Sequence, residues 1–136
     1  MTDVYAPQSY RTCVAPGARI VVSTIIPSAS SGADLLVPVP SRCRLVAFQS
    51  SVTVQVGSAG DIDVDIEKDA ASGTVLGELT IAASATVGTE DIGVLTAGLT
   101  DEDFTLDNQD LNVYVSGSAS AGQANLFFIF EHAYVQ

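Results

Sequence analysis

Tryptophan is absent from these 136 residues, histidine and methionine occur once each, and cysteine occurs twice. Each scarcity removes a class of chemistry. His132 is the sole imidazole, and it sits beside Glu131 in an apolar, β-like terminal segment. A Ser-His-acid site would have no other base to draw on, so an ordinary strand residue is expected there and no catalytic residue is assigned. Cys13 and Cys43 are too few for a disulfide framework and, with one histidine, make a poor zinc set. Reduced thiols that pack as small hydrophobes are expected, with a single Cys13–Cys43 bridge as the open alternative. Without tryptophan there is no flat platform for a sugar, and pairs drawn from the many carboxylates do not amount to a glycosidase.

Positive charge is also scarce. Five Lys and Arg face sixteen Asp and Glu, a formal charge of -11. A chain so acidic repels phosphate, which excludes a nonspecific nucleic-acid binder. No apolar run approaches the roughly 18 residues of a membrane-spanning helix, and the opening MTDVYAPQSY lacks a basic-then-apolar signal layout. A soluble, unprocessed protein with no membrane partner is the expectation. Neither GxxxxGK[ST] nor GxGxxG occurs, so no phosphate-cradling loop is present. The run DIDVDIEKD resembles half of a calcium loop, but counting from Asp61 the sixth position is Ile66 and the twelfth is Ser72. The required glycine and glutamate are missing, so no metal and no cofactor are expected.

What the chain does have is apolar and β-branched residues, with a mean hydropathy of +0.35. It should fold as one domain. Residues 1–17 show no clear period, carry Pro7, Pro16 and Gly17 as breakers, and hold Tyr5, Tyr10 and Arg11. They are expected to form an extended arm ahead of a domain spanning 18–136. From Ala18 the run ARIVVSTII predicts a strand that ends at Pro27 and the turn-forming 28–32. Leu35, Val37 and Val39 alternate, while Pro38 and Pro40 mark an edge position or a strand end. A long strand is expected over 42–56, bent near Ser50 and Ser51.

The clearest alternation sets Ile62, Val64 and Ile66 on one face against Asp61, Asp63, Asp65 and Glu67 on the other. Further strands are expected at 78–83, weakly at 92–95, at 111–116 and in the closing ANLFFIFEHAYV. Asp101, Glu102 and Asp103 would cap one helical turn or form a solvated loop before Phe104 and Leu106. About eight short antiparallel strands at this spacing predict an all-β, jelly-roll-like β-sandwich with an extended N-terminal arm. The segment Leu126, Phe127, Phe128, Ile129, Phe130 is apolar on both faces, so a central strand with one side on a subunit interface is expected.

Charge is unevenly placed. Residues 1–44 hold four arginines against two aspartates, and the rest hold one lysine against fourteen acids. A basic, tyrosine-bearing amino-terminal part suits an acidic protein surface, since arginine and tyrosine are favoured interface anchors. The acidic remainder keeps a densely arrayed protein soluble by repulsion.

The succession of an arm, ARIVVSTII, LLVPVPSRCRLVAF, DVDIEKDAASGTVLGELTIAAS and DNQDLNVYVSGSASAGQANLFFIF resembles the head decoration (cement) proteins of tailed bacteriophages. The resemblance spans about Arg19 to His132 and rests on composition and strand rhythm. It implies a β-sandwich that forms homotrimers on the outer surface of the virion capsid and clamps neighbouring major capsid protein subunits. The expected capsid contacts are Tyr5, Tyr10, Arg11 and Arg19, and the expected trimer seam is Leu126, Phe128 and Phe130 or their opposite-face neighbours Phe127 and Ile129. A trimeric module of a phage tail, spike or fibre is the alternative, weakened by the missing tryptophan and the lack of a fibrous repeat.

Overall fold

The computed structural model describes residues 18–26, 33–39, 42–68, 73–107 and 109–133. The sequence expectations for 1–17, including Tyr5, Tyr10, Arg11 and Cys13, lie outside these, as do the expected turn at 28–32 and Tyr134 and Val135 of the closing segment. Ten strands run in chain order: β1 (Arg19–Ile26), β2 (Ala33–Pro38), β3 (Cys43–Val54), β4 (Ile62–Lys68), β5 (Val75–Ile81), β6 (Glu90–Ile92), β7 (Val94–Leu95), β8 (Thr105–Leu106), β9 (Asp110–Gly117) and β10 (Gln123–His132). No helix forms among the described residues.

The strands make two sheets. The first has the order β1-β10-β3-β6, with β8 also paired to β3, and the second has the order β2-β9-β4-β5-β7. All pairings are antiparallel. With β6 and β7 taken as halves of one strand divided between the sheets, this is the strand order of a jelly roll. The expected all-β sandwich is therefore present, with the two-residue β8 as a ninth strand, and the weakly expected strand at 92–95 belongs to a strand that changes sheet in its middle.

Period-two alternation explains which residues meet. Ile62, Val64 and Ile66 of β4 pair with Gly117, Val115 and Val113 of β9 and with Ile81, Leu79 and Gly77 of β5. Their side chains are buried together between the sheets. From the first sheet, Leu45, Phe48 and Val52 of β3 and Leu126, Phe128 and Phe130 of β10 close the core. Burial of each such side chain contributes about 1.5–3 kcal/mol. Phe48 stacks on Phe128 with ring centroids 6.2 Å apart, and Phe130 follows at 6.5 Å from Phe128.

The divided strand depends on Gly93. A β-carbon there would lie 2.3 Å from Cε2 and Cζ of Phe48, and one on Gly77 would lie 2.6 Å from Cε1 of the same ring. The ring of Phe48 thus fills the space both glycines vacate, while Gly93 N–H donates to the Phe48 carbonyl at 2.8 Å. This junction lets 90–95 span both sheets and close one side of the sandwich.

The β3–β10 ladder departs from expectation in one respect. Its register shifts fall between Ile129 and Phe130, opposite Ala47 and Leu45, and between Gln123 and Ala124, opposite Val54 and Val52. Val46 and Thr53 are therefore the extra residues, and Ser50 and Ser51 pair regularly with Leu126 and Asn125. A bulge needs an unpaired residue rather than a polar one, so serine content misplaced the bend.

Candidate docking surface

β10 is central in its sheet, between β1 and β3, and from Gln123 to Phe130 its residues alternate between two environments. Leu126, Phe128 and Phe130 are fully buried in the core of a single chain. They are spoken for, and no subunit seam can use them without opening the sandwich. Phe127 and Ile129 lie on the opposite, outer face and are half-buried. Of the five residues assigned to the seam by sequence, these two stand where another protein can touch them.

Register extends that face across the sheet. Ile129 pairs with Val21 on β1 and Ala47 on β3, and Phe127 pairs with Ser23 and Gln49. Gln49 in turn pairs with Ile92 of β6. Side chains of directly paired residues share a face, so Val21, Ile129 and Ala47 form one apolar row and Phe127 and Ile92 belong to the next. Val21, Ile25 and Ile92 are 63%, 58% and 77% exposed. These exposed apolar residues on one sheet face make it the candidate docking surface.

The charges on this face balance. Its outward residues include Arg19, Arg44, Glu90 and Glu131. The Arg44 guanidinium donates to Glu131 Oε1 at 2.7 Å, and Arg19 Nε lies 3.9 Å from Glu131 Oε2. Arg19, expected to contact a capsid, is at the start of β1 with its side chain 59% exposed.

Arg42 and Arg44 are less available than the sequence implied. Arg42 bridges Glu102 at 3.2 Å and Asp107 at 3.7 Å, and Arg44 reaches Asp101 at 3.2 Å. The acidic 101–107 segment is therefore a partner for arginines on β3 and its approach. Its shape comes from Thr100, whose N–H and Oγ1–H both donate to Asp103 Oδ2, at 2.9 and 3.0 Å. Asp103 N–H returns a bond to Thr100 Oγ1 at 3.3 Å. This reciprocal turn is a capping box without a continuing helix, and these backbone and side-chain bonds from Thr100 hold the Asp103 carboxyl below its ordinary range. Pairing of β8 with Cys43 and Arg44 docks the turn onto β3. Sequence reading missed this association, although Arg42 and Arg44 at a spacing of two were the available signal.

The outer face of the second sheet is chemically different. Asp63, Asp65 and Glu67 of β4, Asp34 of β2 and Glu78 of β5 line it, opposite in register to Ser116, Tyr114, Asn112 and Thr80. Hydrogen bonds knit it together. Asn112 Nδ2 donates to Glu67 Oε1 at 2.7 Å and to Asp34 Oδ1 at 3.1 Å, and Thr80 Oγ1 donates to Asp63 Oδ1 at 3.0 Å. Asp61 Oδ1 accepts from Ala83 N–H at 2.8 Å. Burial, then the neighbouring Glu78, Glu67 and Asp63, raise the Asp65 carboxyl above its ordinary value. No group of three or more His, Cys, Asp or Glu among the described residues is placed to hold a metal ion.

The remaining reactive side chains, Cys43 and His132, come close in register. His132 is the cross-strand partner of Cys43, and its N–H donates to the Ala18 carbonyl at 2.9 Å. Burial pushes the Cys43 thiol up to about 11. A nucleophilic cysteine needs the opposite shift.

No protein-family model matches the chain, and no curated protein matches it. A solved structure described as "Bacillus endospore appendages form a novel family of disulfide-linked pili" is similar at a TM-score of 0.36 and 13% identity, over 89% of this chain and 96% of that one. A likeness at that level carries no argument about the present chain.

Proposed function

We propose that this chain is a non-enzymatic structural subunit that coats a larger protein assembly, of the head decoration kind its sequence resembles. It would act as a homotrimer on the outer surface of a tailed-phage capsid, with the major capsid protein as partner. The observation that carries this reading is the chemical opposition of the two sheet faces. The outer face of the first sheet is apolar and charge-balanced around Val21, Phe127, Ile129 and Ile92, whereas that of the second is lined with carboxylates. A coat subunit needs one surface for protein contact and another for solvent. Carboxylates facing outward keep coated particles apart by mutual repulsion.

Phe127 and Ile129 are the proposed seam residues of the trimer. Binding that favours the mature shell stabilises it by mass action, and three linked subunits make the release of any one of them effectively intramolecular. The test is addition of purified protein to emptied, expanded heads that lack decoration. Saturable, stoichiometric uptake with loss of uptake by Phe127→Lys is expected. Failure to bind any head, together with binding to host cells or glycans, would instead favour the tail, spike or fibre module.

A further inference from the structure

β1 is the strand at one end of the first sheet, and among the described strands only β10 pairs with it. Its eight residues, RIVVSTII, include no proline and no lysine, and its single charge is at Arg19. The register with β10 runs from Arg19 to Ile26 without a shift, so no bulge turns the strand aside. Other outermost strands are protected: β6 and β7 have three and two residues, and β2 ends in Pro38, which cannot donate to a ladder. Sheet edges in monomeric proteins are ordinarily short, charged, bulged or covered, whereas from Ile20 to Ile26 β1 is long, uncharged and regular.

His132 N–H donates to the Ala18 carbonyl, which makes Ala18 and His132 a hydrogen-bonded pair one step before the β1–β10 ladder. By antiparallel alternation Ile20, Val22, Thr24 and Ile26 direct their N–H and C=O groups at β10, and Val21, Ser23 and Ile25 direct theirs away from it. Side chains follow the same parity. Val21 and Ile25 stand on the outer face with Ser23 exposed between them, whereas Ile20, Val22 and Thr24 face the core and are only half-buried. The inward residues of β10, which has a strand on each side, are fully buried. Among the described residues, β1 therefore lacks a neighbour on one side in its backbone and in its side chains alike.

We infer that this neighbour is β1 of a second copy, paired antiparallel across a two-fold axis at Ser23. Two conditions select that register. Groups that point away from β10 must meet their counterparts, so odd-numbered residues pair with odd-numbered ones and the axis falls on a residue rather than between two. Side chains must also match. Read outward from Ser23, the strand is close to palindromic: Val22 and Thr24, Val21 and Ile25, and Ile20 and Ile26 stand at equal distances on its two sides. An axis on Ser23 sets Val21 of each copy against Ile25 of the other on the outer face, with the two serine hydroxyls adjacent between them. On the core side it sets Ile20 against Ile26 and Val22 against Thr24. An axis on Val22 would instead set Val21 against Ser23 and Arg19 against Ile25, and one on Thr24 would set Ile25 against Ser23.

Charge does not oppose the seam. Arg19 lies four residues from the axis, so the two guanidiniums stand at opposite ends of the shared ladder, each beside its own Glu131. The pairing joins two first sheets into one, and the apolar row of Val21, Ile129 and Ala47 continues across the axis. An isologous contact is two-fold, so within an array of trimers it joins copies that belong to neighbouring trimers. It goes beyond the coat reading and requires no capsid.

Disulfide trapping reads the register directly. Full-length Ser23→Cys, Val21→Cys and Ile25→Cys are each made with Cys13→Ser, while Cys43 is buried and stays in place. The three are oxidised mildly at micromolar concentration and run on non-reducing gels. Across the axis the two residues at position 23 form a hydrogen-bonded pair with Cα atoms about 5.5 Å apart, within disulfide range. Two residues at position 21, or two at 25, are offset by four positions, about 13 Å, which is outside it. Ser23→Cys should therefore give a reducible band at twice 14.0 kDa, about tenfold or more above either other variant alone. Mixing Val21→Cys with Ile25→Cys should restore that band. Light scattering coupled to size exclusion on the unmodified chain needs no variant, and should give an even multiple of 14.0 kDa. No linked Ser23→Cys, a Val21→Cys that links to itself as readily, or a wild type of monomer or trimer mass at every concentration would each overturn the inference. None of these results depends on uptake by heads, which tests the coat reading alone.

Discussion

Gly93→Ala is the most direct perturbation of the junction that closes one side of the sandwich. The new methyl carbon would lie 2.3 Å from two carbons of the Phe48 ring and 2.5 Å from a third. Carbon atoms pack at about 3.5–4.0 Å, so the ring must retreat by roughly 1.2 Å or more. It has little room, because Phe128 stacks on it and Gly77 already approaches another part of its rim. Overpacking of this sort costs about 2–3 kcal/mol, and for a chain of this length each kcal/mol lowers Tm by roughly 3–4 °C. Urea unfolding followed by circular dichroism gives the free energy. Phe48→Leu alone should cost about 1–2 kcal/mol through lost burial. Because the smaller side chain relieves the clash, the double variant should be more stable than the sum of the two losses by about 1 kcal/mol or more. A Gly93→Ala protein within 0.5 kcal/mol of the wild type, or strict additivity in the double variant, would refute the seating of Phe48 beneath the glycine.

Two further perturbations address the acidic face. Asn112→Asp replaces the amide that donates to both Glu67 and Asp34 with a third carboxylate at a buried position. A loss of about 3 kcal/mol or more at pH 7 is expected from urea unfolding, and a change under 0.5 kcal/mol would contradict the bridging role. Asp65 has a raised carboxyl pKa, caused first by burial and then by Glu78, Glu67 and Asp63. Its folded value exceeds its unfolded one, so its contribution to stability is full below the unfolded pKa and is lost as pH rises through the folded value. Asp65→Asn should therefore stabilise the protein at pH 7, by about 0.5 kcal/mol after solvent screening, with the gain shrinking toward pH 4 and in high salt. A gain that grows as pH falls would reverse that assignment.

Much of the fold was legible because strand faces are a local property. Alternation in 62–67 and 111–116 marked inward and outward residues, and the turn-rich stretches between apolar runs marked where strands end. The terminal segment was read as central in its sheet because Leu126 to Phe130 is apolar on both faces, and β10 is flanked by β1 and β3. The candidate surface was legible only in part. Five consecutive apolar residues carry no label saying which parity faces the core, and the pairing with β1 and β3 assigned Phe127 and Ile129 to the outside. Net charge over the amino-terminal part does not show that Arg44 is paired with Glu131, 87 residues away.

The sequence by itself determined the class of structure, because composition and period-two patterning act between neighbouring residues and need no knowledge of the fold. It also determined the chemical character of each strand face, including the run of carboxylates from Asp61 to Glu67. Tertiary structure alone decided which of the described strands lie at the sheet edges, which arginines find acids, and which glycines make room for Phe48. Those outcomes depend on contacts between segments far apart in the chain, where strand order and register, rather than local preference, select the partner.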